Sequence, residues 1–207
     1  MVTINSNYAA SFAANAAKQT QADLNGAMEK LSTGKRINFA KDDAAGSAIA
    51  MRLESEISTL KTASRNASDG QALIDTADGA LKESHSLLIR MRELAVQAQN
   101  GTLQAADKTA LGLEFDALEA EITRISDSTS WAGQKILNGT FTSASQLSLR
   151  VGDSDITHAI TDMDAAALGF TASHTVAQAS AIAVVDAAIT KVSDERAKLG
   201  AVSNRLD

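Results

Sequence analysis

The 207-residue chain has no cysteine, no proline and only seven aromatic residues. Without cysteine it cannot form disulfides or a thiolate metal site. The lack of proline favours uninterrupted helices, since an interior proline costs about 3 kcal/mol. No segment approaches the roughly 20 apolar residues of a membrane span. The first 17 residues lack the cationic start and leucine-rich run of a cleaved signal peptide. A net charge of −6 argues against a nucleic-acid partner.

Alanine is abundant, with 40 copies, and it supplies much of the 44% hydrophobic content. An alanine side chain buries little apolar area, so lateral packing must come from long, closely spaced helices. The composition therefore predicts a mainly α protein.

The sequence carries no recognisable catalytic, metal or cofactor site. His85, His158 and His174 lie far apart and have no ligand spacing. No Gly-x-Ser-x-Gly elbow or phosphate-binding glycine loop occurs. Asn-x-Ser/Thr triplets begin at residues 66, 100 and 138, and two of them are Asn-Gly turns, which makes them weak glycosylation signals. We expect no enzymatic activity and no cofactor.

Residues 1–34 carry a thin apolar stripe on a helix-forming background. Its members are Ile4, Tyr8, Phe12, Leu24, Met28 and Leu31. So weak an amphipathic helix is marginal in water. We therefore expect residues 1–43, a helix and a hinge, to be disordered in a lone chain and to fold when another surface covers the stripe.

The next segment, about 44–99, has an apolar residue at every seventh position. These positions read Leu53, Leu60, Ala67, Ile74, Leu81, Leu88 and Ala95, and their companions from residue 63 to residue 98 are mostly small. So long a heptad stripe predicts a coiled-coil type helix that could run roughly 80 Å.

The remaining pattern completes a predicted rod domain over residues 44–207. A break at Asn100-Gly101 precedes a second stripe that predicts a helix at about 104–128, antiparallel to the first. Alternation and turn residues over about 130–162 predict a small β-hairpin region. A third helix is predicted at 176–206, with Arg196 as the one polar residue on its apolar face. The predicted fold is a long antiparallel helical bundle with a small β-hairpin region.

Residues 31–50 form a polar hinge between two alanine-rich helices, and they read LSTGKRINFAKDDAAGSAIA. The polar positions of the hinge are Lys35, Arg36, Asn38, Lys41, Asp42 and Asp43. We expect their charges to pair with each other or across a subunit boundary. The run resembles the connector of bacterial flagellins, close to LSTG-x-RIN-x-AKDDAAG-x-AIA.

A second candidate site lies in residues 90–97, which read RMRELAVQ. On the heptad pattern Met91 belongs to the core, Arg90 and Glu93 are surface ion-pairing residues, and Leu94 is an exposed leucine suited to anchor an interface. The run is similar to RVRELAVQ of flagellins, which packs against neighbouring subunits and which the flagellin-sensing Toll-like receptor of animals grips. By position the resemblance implies subunit and receptor contacts at Arg90, Met91, Arg92, Glu93, Leu94, Val96 and Gln97, with Glu114 on the antiparallel helix. Ile89 stands where flagellins commonly have a polar residue, which would weaken receptor recognition.

The resemblance covers nearly the whole chain, with further landmarks at 65–70, 133–139, 167–169 and 199–206. It departs in two ways: the variable outer domain of many flagellins is missing, and the sequence stops at Asp207, before the C-terminal helix of that family. We therefore expect a truncated form or a chain that cannot polymerise in the usual way.

The resemblance implies a filament subunit for motility, exported unfolded through the flagellar type III channel without signal cleavage. Its partners would be other subunits, the export apparatus and the host receptor, with no nucleic acid and no membrane. Three alternatives stay open: a hook–filament junction protein, a cytosolic signalling coiled coil and a carbohydrate-binding surface protein. The absence of a proline-containing hinge disfavours the first, and the turn and strand region around residues 131–160 disfavours the second. The scarcity of aromatic residues disfavours the third.

Overall fold

The computed structural model describes residues 7–141, 146–170, 176 and 180–206. Within these ranges the helices are α1 (Tyr8–Thr33), α2 (Ala44–Ala98), α3 (Ala105–Ser128), α4 (Ala165–Leu168) and α5 (Ser180–Leu206). The strands are β1 (Ser130–Trp131), β2 (Gln134–Lys135), β3 (Leu147–Val151) and β4 (Ser154–His158). The mainly α class with small antiparallel strand pairs is confirmed. The chain divides into two compact units, Met1–Ser58 and Thr59–Asp207.

Helix α1 of the first unit is capped at both ends but has no buried residue. The side-chain oxygen of Asn7 accepts a hydrogen bond from the Ala10 amide at 3.0 Å, and Gly34 ends the helix at a φ of 67°. Only glycine adopts that left-handed conformation at no steric cost. Disorder of this segment in a lone chain stays a prediction, and residues 1–6 lie outside the described ranges.

Helix α2 begins where Asp43 caps it. The Asp43 carboxylate accepts from the Gly46 amide at 2.8 Å, and the Asp43 carbonyl accepts from Ser47 at 2.9 Å. A Cβ on Gly46 would lie 2.4 Å from the Asp43 carboxylate, so glycine leaves room for this cap. The heptad pattern predicts about 44–99, and the helix covers Ala44–Ala98.

In the second unit, the apolar stripe of α2 is buried from Ala63 onwards. Its buried residues are Ala63, Gly70, Leu73, Ile74, Ala77, Leu81, Ser84, Leu88, Met91, Leu94, Ala95 and Ala98. Small residues occupy most of the companion positions, and the neighbouring helices meet α2 through their side chains. Phe115 and Ile122 of α3, and Val185, Val192 and Leu199 of α5, belong to the same core.

Polar contacts show that α5 runs antiparallel to α2. Gln71 donates to Ser203 at 2.7 Å, Arg196 donates to Asp78 at 2.7 Å, and Arg92 donates to Asp186 at 2.7 Å. Residue numbers rise on one helix as they fall on the other. Helix α3 follows α2 after a six-residue turn.

The β3–β4 pair forms the predicted hairpin, with Leu149 opposite Ile156. It docks on α2, because the Asn66 side-chain amide donates to the Arg150 carbonyl at 2.8 Å. A Cβ on Gly70 would lie 2.6 Å from a methyl of Leu149. A glycine within α2 therefore permits the close approach of the hairpin.

Two features differ from the predicted elements. The third long helix is described from Ser180, whereas the predicted helix begins at 176. Val176 lies buried in a turn. Residues 177–179 lie outside the described ranges. Helix α4 was not predicted, since four residues are too short for a periodic pattern. Asp164 caps it by accepting from the Ala167 amide at 2.6 Å. No described helix is long and apolar enough to cross a membrane.

Candidate assembly interface

The exposed side of α2 in the second unit carries a mixed apolar and charged strip. We call this strip the α2 crest, and it consists of Ile89, Arg92, Glu93, Val96 and Gln97. Ile89 is 45% exposed and Val96 is 50% exposed, although both are large apolar residues on a helix with a well-formed core. Apolar side chains beside charged ones at a surface suit contact with another protein.

Arg90 borders the crest on the α3 side, between two carboxylates. Its guanidinium donates to Glu114 of α3 at 2.7 and 2.9 Å and to Glu93 at 3.1 Å. The hydrogen bonds that Arg90 donates to Glu114, and then to Glu93, raise the pKa of its guanidinium. The three side chains are 44–60% exposed, so solvent screens these pairs and they add little to stability. Their main effect is to hold Arg90 in a fixed place.

Arg92 is held on the other side, by α5. Its Nε donates to Asp186 at 2.7 Å, with both side chains about half exposed. Arg92 within the crest and Arg90 at its border are therefore tied to different neighbouring helices. The positions predicted at residues 90, 92, 93, 96, 97 and 114 are all exposed at this face.

The expected exposure of Leu94 is wrong, since the residue is fully buried. Leu94 lies three residues after Met91 and four before Ala98, and all three are buried. Because α3 and α5 both pack on α2, the buried face is wider than a strict heptad seam. Met91 is buried as the heptad pattern predicts. Both residues support the crest from beneath.

The hinge in the first unit uses its charges differently from the expectation. Among the described residues, no ion pair joins a hinge cation to a hinge carboxylate. Instead Asp42 accepts from the amides of Asn38 at 3.2 Å and Phe39 at 3.1 Å, and these bonds lower its pKa. Lys41 lies 5.0 Å from the centre of the Phe39 ring. Short acidic side chains bond readily to nearby backbone amides, so they order the hinge locally. Pairing across a subunit boundary stays a prediction, with Lys35 and Arg36 in this exposed segment.

Large apolar side chains are exposed along α1 and the first part of α2. They are Tyr8, Phe12, Leu24, Met28, Leu31, Phe39, Ile49, Met51, Leu53, Ile57 and Leu60, with exposures from 47% to 83%. Leu53 and Leu60 continue the heptad stripe that is buried further along α2. We call this set the uncovered stripe. An apolar surface of this extent marks an interaction site.

One buried polar group was missed by the sequence analysis. Glu195 is 1% exposed and accepts from the Thr161 amide at 3.2 Å, the Thr161 hydroxyl at 3.0 Å and Lys198 at 3.2 Å. His158 Nε2 lies 3.5 Å away, too far for a strong bond. The carboxylate fastens the segment after β4 to α5. The neighbouring Arg196, which the sequence analysis singled out, pairs with Asp78.

Within the described residues, no group of three or more histidine, aspartate or glutamate side chains is placed to hold a metal ion. His174 lies outside these residues.

Comparison with known proteins shows the family to which the chain belongs. The family model for the bacterial flagellin N-terminal helical region matches residues 4–142. A flagellin of Halalkalibacterium halodurans is 44% identical over 191 residues, covering 87% of this chain and 68% of that protein. Flagellin A of Vibrio anguillarum is 46% identical over 144 residues, covering 70% of this chain. The chain spans 38% of the length of that Vibrio relative.

Solved structures agree with this assignment. A Bacillus cereus flagellin superposes with a TM-score of 0.60 at 34% identity, covering 70% of this chain and 85% of that one. A putative flagellar hook-associated protein from Vibrio parahaemolyticus has a TM-score of 0.65 at 18% identity, which shows a shared fold alone. From the family match over 139 of its 207 residues, the chain belongs to the bacterial flagellin family.

Proposed function

We propose that this chain is a structural subunit that self-assembles into the bacterial flagellar filament, and that it has no enzymatic activity. The uncovered stripe carries the proposal. Ten large apolar side chains on two long helices, and Phe39 in the hinge between them, stand about half exposed or more. A folded chain keeps such a surface when another surface covers it in the working assembly.

Neighbouring copies supply that covering surface in the proposed filament. The α2 crest would make lateral contacts, with Ile89 and Val96 as apolar contacts and Arg92 and Glu93 giving charge complementarity. The uncovered stripe would pack against helices of the same type. The flagellin family membership favours copies of this chain over an unrelated partner. We further propose export through the flagellar type III channel to an extracellular filament.

Polymerisation tests the proposal directly. Electron microscopy and sedimentation would compare this chain with one extended by a flagellin-type C-terminal segment. Filaments from the extended chain support the proposal. If both chains remain folded yet neither assembles at any concentration, the filament role is refuted and a junction-protein or signalling role takes its place.

A matched pair of variants tests the crest. Val96→Glu places a charge on the crest, whereas Leu113→Glu places one on α3 at an apolar residue that is 69% exposed. Both sites are solvent-accessible, so neither variant should unfold the lone chain. Val96→Glu should abolish or sharply reduce assembly of the extended chain. Equal loss in Leu113→Glu would contradict a specific role for the crest.

A second proposed role is recognition by the animal flagellin-sensing Toll-like receptor. The observation that favours it is Arg90, half exposed and fixed between Glu93 and Glu114. A pre-positioned arginine loses little side-chain entropy on binding, which suits an interface anchor.

Reporter cells that express the receptor would test this role with soluble chain. Arg90→Ala should reduce the response at least about tenfold, in the range of a binding anchor. The control is Arg124→Ala, which removes another exposed arginine that pairs with a carboxylate three residues away. An equal response from wild type and Arg90→Ala would refute the assignment.

A further inference from the structure

Three Asn-Gly steps occur in the chain, at 25–26, 100–101 and 138–139. In an Asn-Gly step, the glycine amide nitrogen can attack the asparagine side-chain carbonyl carbon, since no Cβ hinders its approach. All three steps have the same two residues, so the fold determines which of them can react.

The step at Asn100 lies in the exposed turn between α2 and α3. The Asn100 side-chain oxygen accepts from the Thr102 amide at 3.1 Å and from the Thr102 hydroxyl at 2.9 Å. Two donors on one carbonyl oxygen draw electron density from its carbon and make that carbon a better electrophile. They also keep the side chain over the peptide that follows it.

The nucleophile at this step is also free to move. The Gly101 amide makes no hydrogen bond within the described residues. A Cβ built on Gly101 meets nothing within 4 Å, so the peptide has room to rotate. Asn100, Gly101 and Thr102 are all exposed to the water that the reaction needs.

The step at Asn25 lies inside α1. There the Gly26 amide donates to the carbonyl four residues earlier, which occupies the nucleophile and fixes the backbone. The Asn25 side-chain oxygen accepts from Gln21 at 3.1 Å, along the helix surface. Reaction requires this part of the helix to open.

The step at Asn138 lies in a packed turn. The carbonyl of Leu137 accepts from the Met163 amide at 2.9 Å and from the Ser126 hydroxyl at 2.7 Å. Gly139 has a φ of 76°, and a Cβ there would lie 3.1 Å from Asp162. The Asn138 side-chain oxygen accepts from the Thr140 hydroxyl at 2.5 Å, so it has one of the two kinds of donor found at Asn100, and the packing of the turn is what restrains this step.

We propose that Asn100 is a site of spontaneous deamidation in the folded chain. The deprotonated Gly101 nitrogen forms a bond to the Asn100 side-chain carbon, the bond from that carbon to the amide nitrogen breaks, and ammonia leaves. Water then opens the resulting succinimide at either carbonyl and leaves aspartate or isoaspartate at position 100. No enzyme and no oxidant takes part.

The product changes the turn that joins α2 to α3. A carboxylate at position 100 lies just beyond the last residue of α2, where the negative end of the helix dipole disfavours it. Isoaspartate also adds a methylene to the main chain of the turn. Both products alter the connection between the helices that carry Arg90 and Glu114.

Peptide mapping by mass spectrometry, with isoaspartyl methyltransferase labelling, would follow the full chain at mildly alkaline pH. Each site is compared with the same site in concentrated guanidinium, which removes differences of local sequence. The quantity compared is the rate at a site in the folded chain divided by the rate at the same site in guanidinium. This ratio should be at least about tenfold higher for Asn100 than for Asn25 and Asn138, because those two sites require local opening. Equal protection at all three sites would overturn the proposal.

Two variants locate the cause. Gly101→Ala should slow the reaction at Asn100 at least about tenfold, because a methyl group hinders the nucleophile. Thr102→Val removes the hydroxyl donor while keeping the side-chain shape, and it should slow Asn100 several-fold with Asn25 and Asn138 unchanged. An unchanged rate at Asn100 in Thr102→Val would refute the role of the polarised carbonyl.

Discussion

Leu60 and Leu81 occupy equivalent heptad positions of α2 in very different surroundings. Leu81 is fully buried, whereas Leu60 is 59% exposed. Replacing each by alanine removes the same three carbon atoms from the same type of helical position. The losses of unfolding free energy in the two variants are then compared. Their difference shows whether the packed part of the stripe reaches Leu60 in a lone chain.

The magnitudes follow from burial. Removing three buried carbons at Leu81 loses about 2.4 kcal/mol of transfer free energy, at about 0.8 kcal/mol per methylene. The cavity left behind raises the cost of Leu81→Ala to about 3–4 kcal/mol. Leu60 has only about two-fifths of its surface covered, so Leu60→Ala should cost about 1 kcal/mol or less. Alanine's higher helix propensity offsets part of this cost.

Urea unfolding provides the assay, followed by circular dichroism and by fluorescence of Trp131, the single tryptophan. Trp131 packs against the core of the second unit, so its emission reports that unit. With a slope of about 2 kcal/mol per molar urea, Leu81→Ala should lower the midpoint by about 1.5–2 M. Equal losses in the two variants would refute the reasoning, since Leu60 would then be covered in the lone chain.

Three further predictions concern polar contacts. Asp78→Asn removes the carboxylate that binds Arg196 through two hydrogen bonds, so the unfolding free energy should fall by about 1 kcal/mol in urea titrations; no change would show that the pair is solvated. Glu195→Gln keeps the side-chain shape but weakens the bonds from Thr161. Hydrogen exchange at the Thr161 amide should therefore accelerate, while the α2 amides stay protected. An unaltered exchange rate at Thr161 would contradict the role of Glu195 in holding the segment after β4 to α5. The lowered pKa of Asp42 means that its stabilisation is present above its usual value of 3.8 and is lost as pH falls through the lower folded pKa. Wherever the hinge is folded, nuclear magnetic resonance should therefore show the Asp42 carboxyl titrating below 3.8, and titration at or above 3.8 would contradict this sign and agree with the expected disorder of residues 1–43 in a lone chain.

Local patterns predict the helices of this chain well, because their apolar spacing and their breaks lie in the sequence itself. The heptad stripe gives α2 to within one residue at its C-terminal end, and it correctly places Leu81 and Leu88 in the core. The pattern cannot show how far those neighbours extend. Leu53 and Leu60 carry the same signal as Leu81, yet they are about half exposed in the folded chain.

The candidate interface stays a prediction, and the structure tests only the exposure of its side chains. Arg90 and Glu93 are exposed, whereas Leu94 is buried because two helices pack on α2 from different sides. A heptad assignment treats the helix as having one seam, so it places such a residue outside the core. The width of a buried face depends on the positions of the neighbouring helices, which the pattern does not contain.

Contacts between distant segments were beyond local reasoning. Glu195 is buried because Thr161, 34 residues earlier, donates two hydrogen bonds to it. Nothing around Glu195 distinguishes it from an ordinary helix-surface glutamate. The hinge shows the opposite case, since an Asp42 that bonds to nearby amides follows a local preference. Applied to the sequence, this preference predicts that Asp42 bonds to nearby backbone amides and not to the hinge cations.

The measurement that most directly tests the central claim is the accessibility of the uncovered stripe before and after assembly. Since the chain has no cysteine, Leu60→Cys provides a single thiol for maleimide labelling, with Leu81→Cys as a control that is buried throughout. We predict that position 60 reacts rapidly in the lone chain and becomes strongly protected in filaments of the extended chain. Filaments that form while position 60 remains as reactive as before would contradict the account.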